Sequence, residues 1–177
     1  SEHSAITNNT KLPTPGGVTA SNITTTEVTI SWTAVPQAEG YEIHYSKTDG
    51  FTIGDAGVTK VELGPTETSK VISSLDANTT YYFQVLAKNL QASGNSAPST
   101  QQSATTEKIV LAAPSSITTS GITASSITVN WGRVTNASGY EVHYSKTSSF
   151  SIGGTGVTTS TINSGTATTK QLTGLDA

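Results

Sequence analysis

The most enzyme-like feature of the chain is a carboxylate and an imidazole two residues apart, present twice. Glu42 and His44 stand in Tyr41-Glu42-Ile43-His44-Tyr45, and Glu141 and His143 in Tyr140-Glu141-Val142-His143-Tyr144. On an extended strand, residues two apart share a face, so such a pair could hold a metal or pass a proton. The same alternation gives Tyr41, Ile43 and Tyr45 to an inner face and turns the pair outward toward water. A zinc centre takes three or more protein ligands, and His3 is the one histidine left. The pair therefore reads as a solvated polar couple, and its recurrence as shared descent of a repeated segment.

Other candidates read the same way. Asp49, Gly50 and Asp55 resemble pieces of a calcium loop, yet calcium wants six to eight oxygens, several of them carboxylate. The second copy has Ser148 and Gly154 at the two aspartate positions and keeps Phe150, Ile152, Gly153 and Gly156. What recurs is an apolar and glycine skeleton, which predicts a structural loop packing Phe51 and Ile53 on a rim. No serine lies in a Gly-x-Ser-x-Gly elbow, and the histidines sit on a strand face. Tyr82, facing away from Tyr81, is a lone ring where a sugar platform would use two or three. Asn8, Asn22, Asn78 and Asn136 open Asn-x-Ser/Thr triplets, which arise readily by chance in a threonine-rich chain. The expectation is no catalytic residue, no metal ligand set and no cofactor site.

Composition narrows the classes further. Of 177 residues, 24 are Ser and 33 are Thr, while Cys and Met are absent. Without Cys there is no disulfide scaffold, thiolate site or thiol catalyst. Nine Lys and Arg in a chain of net charge -3 do not make the clustered cations that nucleic acid requires. No apolar run approaches the ~18 residues that would cross a membrane. Abundant Thr, Val, Ile and Tyr favour strands. Beginning at Ser1-Glu2-His3 without an initiator Met, the chain is expected to be an excised piece of something longer.

The elements that position these residues come from an internal repeat. Gly40 to Thr48 recurs as Gly139 to Thr147, and the same 99-residue offset pairs Pro15 with Pro114, Ile30 with Val129 and Trp32 with Trp131. One extra residue then enters, so that Leu75-Asp76-Ala77 matches Leu175-Asp176-Ala177. Val28, Ile30 and Trp32 alternate with Thr29 and Ser31, Ile127, Val129 and Trp131 do likewise, and Tyr81, Phe83, Val85 and Ala87 give the longest run. Period two buries one face of a strand. Turns fall at Gly16-Gly17, Gly64-Pro65, Asp76-Ala77-Asn78 and Gly94-Asn95. Short strands with turns every 8 to 12 residues point to an antiparallel sandwich.

On these positions the chain resembles fibronectin type III domains. A proline near each start (Pro15, Pro114), a tryptophan closing each second strand (Trp32, Trp131), the third-strand Tyr-x-Ile/Val-x-Tyr, and Leu75-x-x-x-Thr79-x-Tyr81 carry the likeness. It implies an all-β fold of two immunoglobulin-like sandwiches in tandem. The expected organisation is a tail at 1–11, a first domain at 12–107, a linker at 108–111 that limits bending, and a second, incomplete domain at 112–177. By the same likeness Tyr81 is a tyrosine corner, its hydroxyl bonded to backbone a few residues upstream. Ala77 stands where the family usually has proline, and the family's Arg-Gly-Asp is missing, since Arg133 precedes Val134.

The second copy stops before the segment matching Asn78 to Glu107, which supplies the sixth and seventh strands (F and G in the lettering of the family it resembles), so these two are expected to be lacking. An inner face of Ile122, Ile127, Val129, Trp131 and Leu172 then loses cover worth on the order of 10 kcal/mol, against a domain stability of ~5–15 kcal/mol. Continuation of the natural chain, a strand from another molecule, or packing within an assembly would restore it. The functional expectation is a non-catalytic structural, spacer or adhesion module of a larger protein, with no nucleic-acid partner and no membrane insertion; the resemblance, in a Thr/Ser-rich and Cys-free chain, implies a bacterial secreted or cell-surface protein and an extracellular place. The alternatives are a module binding protein or glycan through loops or sheet edges, and a self-assembling fibre subunit completed by strand addition.

Overall fold

The computed structural model describes residues 11–89 and 94–176. The tail through residue 10, with His3 and the Asn8 triplet, residues 90–93 of the loop from Lys88 to Ala97, and Ala177 lie outside the described residues. Among the described residues there are twelve strands and no helix. They divide into two compact units, one ending at Ile109 and one starting at Val110.

The first unit contains β1 (Thr19–Ser21), β2 (Val28–Ser31), β3 (Gly40–Ser46), β4 (Thr59–Leu63), β5 (Ser69–Ile72), β6 (Thr80–Lys88) and β7 (Gln102–Thr105). They form a three-stranded sheet in the order β1-β2-β5 and a four-stranded sheet in the order β4-β3-β6-β7. Every pairing is antiparallel. The period-two pattern decides which side of each strand is dry. Val28 and Ile30 from β2, Tyr41 and Ile43 from β3, and Phe83 and Val85 from β6 have no exposed surface. Each such side chain contributes about 1.5–3 kcal/mol over leaving it wet. Trp32 and Leu75 close the same core from the strand ends.

Two local devices fix the edges of this sandwich. Between the described part of the β6–β7 loop and β7, two serines stand in for a regular ladder. The Val85 amide donates to Ser99 Oγ at 3.0 Å while the Ser99 amide donates to the Val85 carbonyl at 2.8 Å. Ser96 does the same for Ala87, at 2.9 Å in both directions. At the start of β3, a Cβ on Gly40 would stand 2.7 Å from the Leu63 carbonyl oxygen, and one on Gly139 2.5 Å from that of Ile162. Glycine is therefore required where the repeated segment begins.

The second unit contains β8 (Thr118–Ser120), β9 (Ser126–Asn130), β10 (Tyr140–Tyr144), β11 (Thr158–Ile162) and β12 (Thr169–Thr173). The sheet orders are β12-β9-β8 and β10-β11, reproducing the pairings of β1 to β5. Burial on its inner face is uneven. Trp131 and Leu172 stay buried, Ile127 and Val129 are half-buried, and Ile122 is 68% exposed. Ile117 is also 68% exposed, where its counterpart Val18 keeps 8%.

Candidate functional site

The residues that could do chemistry lie on the outer face of the four-stranded sheet and in the loops. Alternation along β3 places Glu42 and His44 opposite the core, as the sequence implies. They do not, however, point into water. The Glu42 side chain keeps 11% of its surface and His44 6%, which corrects the reading of a solvated pair. The cause is lateral cover from the flanking strands: Lys60 of β4 is the register partner of His44, the buried Leu86 of β6 that of Glu42, and Lys88 of β6 reaches Glu42 with its ammonium. His44 Nε2 donates to Glu42 Oε2 at 2.9 Å. The Nζ atoms of Lys60 and Lys88 stand 3.7 and 3.5 Å from Glu42 Oε1, and both also reach Glu62, at 2.6 and 3.4 Å. The Lys60 hydrogen bond, then that of Lys88, holds the Glu62 carboxyl below its ordinary value. The Glu62 bond and the Glu42 charge raise the Lys60 ammonium. This is a closed charge network with its acceptors occupied.

In the second unit the pair is open. Glu141 is 58% exposed at the side chain, and His143 Nε2 donates to it at 3.1 Å. In the neutral ring Nδ1 is then left to accept from the Thr159 hydroxyl, 2.9 Å away. Thr159 occupies the position of Lys60 in the repeat.

The remaining candidates are held by structural bonds. Asp49 Oδ1 accepts from Gln101 Nε2 at 2.6 Å, the Gly50 amide donates to Gln101 Oε1 at 3.2 Å, and Asp55 Oδ2 accepts from the Thr52 amide at 2.9 Å. The two carboxylates thus tie separate points of the loop, with Phe51 buried and Ile53 half-buried beneath. Among the described residues no three His, Asp or Glu side chains converge as a metal site would need. Asn22, Asn78 and Asn136 are exposed with φ of 46, 50 and 67°, a left-handed turn conformation that asparagine tolerates better than most residues. Tyr82 is half-buried.

Tyr81 behaves as the family resemblance implies. Its hydroxyl accepts from the Asp76 amide at 3.0 Å. Thr106 completes the corner, donating to the Asp76 carbonyl at 2.6 Å and accepting from the Thr79 amide at 3.0 Å.

One constellation escaped the sequence reading. Lys47 Nζ donates to Asp76 Oδ2 and stands 5.8 Å from the centre of the Tyr81 ring. The Asp76 hydrogen bond and charge raise the lysine, and the lysine lowers the aspartate. Beside them a cleft of about 400 Å³ is walled by Tyr45, Tyr81 and Leu75 and rimmed by the hydroxyls of Ser46, Thr59 and Ser74. A signal existed: Lys146 and Asp176 repeat the pair, 2.7 Å apart.

Antiparallel sheets of three and four strands, a tryptophan–tyrosine core and a tyrosine corner define the class. A profile of the fibronectin type III domain matches residues 13–103, and the chain belongs to the fibronectin type III family. It is 35% identical over 175 residues to Exoglucanase B of Cellulomonas fimi, covering 88% of this chain and 15% of that protein. It is 27% identical over 142 residues to Contactin-3 of Rattus norvegicus, covering 73% of this chain and 13% of that one. This chain therefore spans about a seventh of the length of these relatives. A two-domain fibronectin type III segment of chicken tenascin is similar in fold, with a TM-score of 0.50 at 22% identity over 92% of this chain and 83% of that one.

Proposed function

We propose that the chain is a non-catalytic structural module, a spacer within a larger extracellular protein that holds other parts of that protein at a distance from one another. The observation that supports this most is the first unit's internal use of its reactive groups. Glu42, His44, Asp49, Asp55 and Asp76 each commit a polar atom to a neighbouring side chain or backbone amide. A catalytic acid, base or nucleophile needs an atom aimed at a space a substrate can enter. Similarity to segments of an exoglucanase and of a contactin, each many times longer, supports a part-of-a-larger-protein reading and an extracellular placement. The Cellulomonas relative and the lack of Cys support a bacterial surface or secreted protein.

A binding reading has one observation in its favour, the cleft between Lys47, Tyr45 and Tyr81, whose mix of rings and hydroxyls suits a saccharide. Affinity electrophoresis of the chain through gels carrying soluble glucans, with a serum albumin control, separates the two. The spacer reading expects no retardation. Saturable retardation that is lost in Tyr45→Ala would replace it with a glycan-binding function.

A further inference from the structure

The first unit leaves unspent a hydroxyl that the second uses. Ser46 is only 5% exposed, and its hydroxyl accepts from the Thr48 amide at 3.2 Å. Ser145 accepts likewise from the Thr147 amide at 3.1 Å and donates its own proton to the Gly156 carbonyl at 2.9 Å. Gly57 holds the place of Gly156 in the repeat. The Ser46 proton nevertheless has no acceptor among the described residues. Ser46 and Gly57 instead both border the cleft of about 400 Å³. A covered donor without an acceptor is disfavoured, so this wall is short of one.

Other groups on the cleft are unspent as well. The Tyr45 ring is fixed by Phe83 at 5.8 Å and by Tyr81, edge-on, at 6.2 Å. Its hydroxyl has no partner among the described residues. Ser74, on the rim, has φ of 61° where the repeat has Gly174 at 70°. The left-handed region is easy for glycine and strained for serine, so a hydroxyl is held here against a conformational cost. Lys47 also lines the cleft, and among the described residues no lining side chain is acidic. An ammonium has three donors, of which Asp76, outside the lining, takes one.

We propose that this cleft binds one acidic sugar residue, a uronate. Its carboxylate meets Lys47, and its ring and hydroxyl oxygens accept from Ser46 and bond to Tyr45, Thr59 and Ser74. Charge-assisted bonds are stronger than neutral ones, which favours the acid over a neutral sugar. The cleft lies within the range of small-ligand sites, about 300–1,000 Å³. Asp76 is a built-in competitor, because it holds the ammonium that the ligand's carboxylate must share. The site goes beyond the spacer reading and does not depend on it.

The test titrates the full chain with trigalacturonate and follows backbone amide shifts by NMR. Maltotriose is the neutral control and a glutamate hexapeptide the acidic, sugar-free one. Saturable shifts at Ser46, Lys47, Thr48 and Ser74 are expected with the acidic trimer, at a Kd of about 1 mM. Neither control should produce them. Lys47→Met and Ser46→Ala should each weaken binding by roughly tenfold, whereas Asp76→Asn, which removes the competitor, should tighten it severalfold. Lys47 and Asp76 are both more than half exposed, so their variants keep the fold. No saturation up to about 10 mM overturns the proposal. So do equal shifts with either control, shifts centred away from the cleft, unchanged binding by Lys47→Met or Ser46→Ala, or weaker binding by Asp76→Asn. The comparison of ligands on the unsubstituted chain is independent of any effect of Ser46→Ala on stability. The soluble glucans that test the spacer reading are neutral, so that reading and this one fail separately.

Discussion

The backbone amide of Val35 donates to the hydroxyl of Tyr41 at 2.7 Å, and Val134 repeats the bond to Tyr140 at 2.8 Å. In each unit the same ring lies 5.3 Å from the tryptophan ring, tilted by 57° in the first and 51° in the second. A tyrosine thus fills the core with its ring while its polar tip satisfies a loop amide that would otherwise be buried unpaired.

Tyr41→Phe keeps the ring and removes that acceptor, so it should lower the stability of the first unit by about 1–3 kcal/mol, the cost of an orphaned buried donor. Tyr140→Phe should cost less, because Tyr140 is only half-buried and water can reach its partner. Urea denaturation followed by tryptophan fluorescence checks both, and equal costs would contradict the role given to burial.

Glu42→Ala and Glu141→Ala should differ sharply although they delete the same residue from the same motif. The first leaves the His44 donor and Lys88 facing a covered gap and should cost about 1–3 kcal/mol. The second removes an exposed partner and should cost at most about 1 kcal/mol. A double-mutant cycle with His44→Ala and with His143→Ala measures the coupling in each unit.

Ser99→Ala removes the hydroxyl that accepts the Val85 amide deep in the core. Stability should fall by about 1–3 kcal/mol, with faster hydrogen exchange at Val85 than at Ile43. Unchanged exchange at Val85 would show that the backbone re-pairs without the hydroxyl.

The Lys47–Asp76 and Lys60–Glu62 pairs set a pH dependence. The carboxyls are held below their ordinary values, 3.8 and 4.5, by the lysines. Their contribution is complete above those values and is lost as acid carries the pH down through the lowered ones. The lysines, raised above 10.5, contribute fully below that value and lose their contribution as alkali passes the raised ones. All four groups are solvent-exposed, so the effect is small and screened by salt. Asp76→Asn with Glu62→Gln should flatten the fall in melting temperature below about pH 4, and ~1 M salt should erase the difference. An acid limb as steep as in the unsubstituted chain would remove these pairs as its source.

Much of this fold could be read from residue spacing. Val28-x-Ile30-x-Trp32 and Tyr41-x-Ile43-x-Tyr45 identify strands and their dry sides, because side-chain direction is local to the backbone. The corner at Tyr81 is likewise legible, since its partner Asp76 is close in the chain. The burial of Glu42 and His44 is not. Alternation says which face a residue takes, but the cover comes from Lys60, Leu86 and Lys88, brought alongside only by strand order. The Ser96 and Ser99 bonds are hidden by composition, since serine is everywhere in this chain and two structural ones look like the rest. The Lys47–Asp76 pair is not legible although both residues recur, because they stand 29 residues apart and only the fold brings them together.

The outer margins of the two units are built differently. β4 ends its sheet with Lys60 and Glu62, whereas β11 ends its sheet with Thr158, Thr159, Ser160 and Thr161. Ionised side chains on a border strand discourage a neighbour from zipping alongside, and hydroxyls do so only by holding water. A strand that paired alongside β4 would have to bury an ion pair, whereas one alongside β11 would meet uncharged hydroxyls.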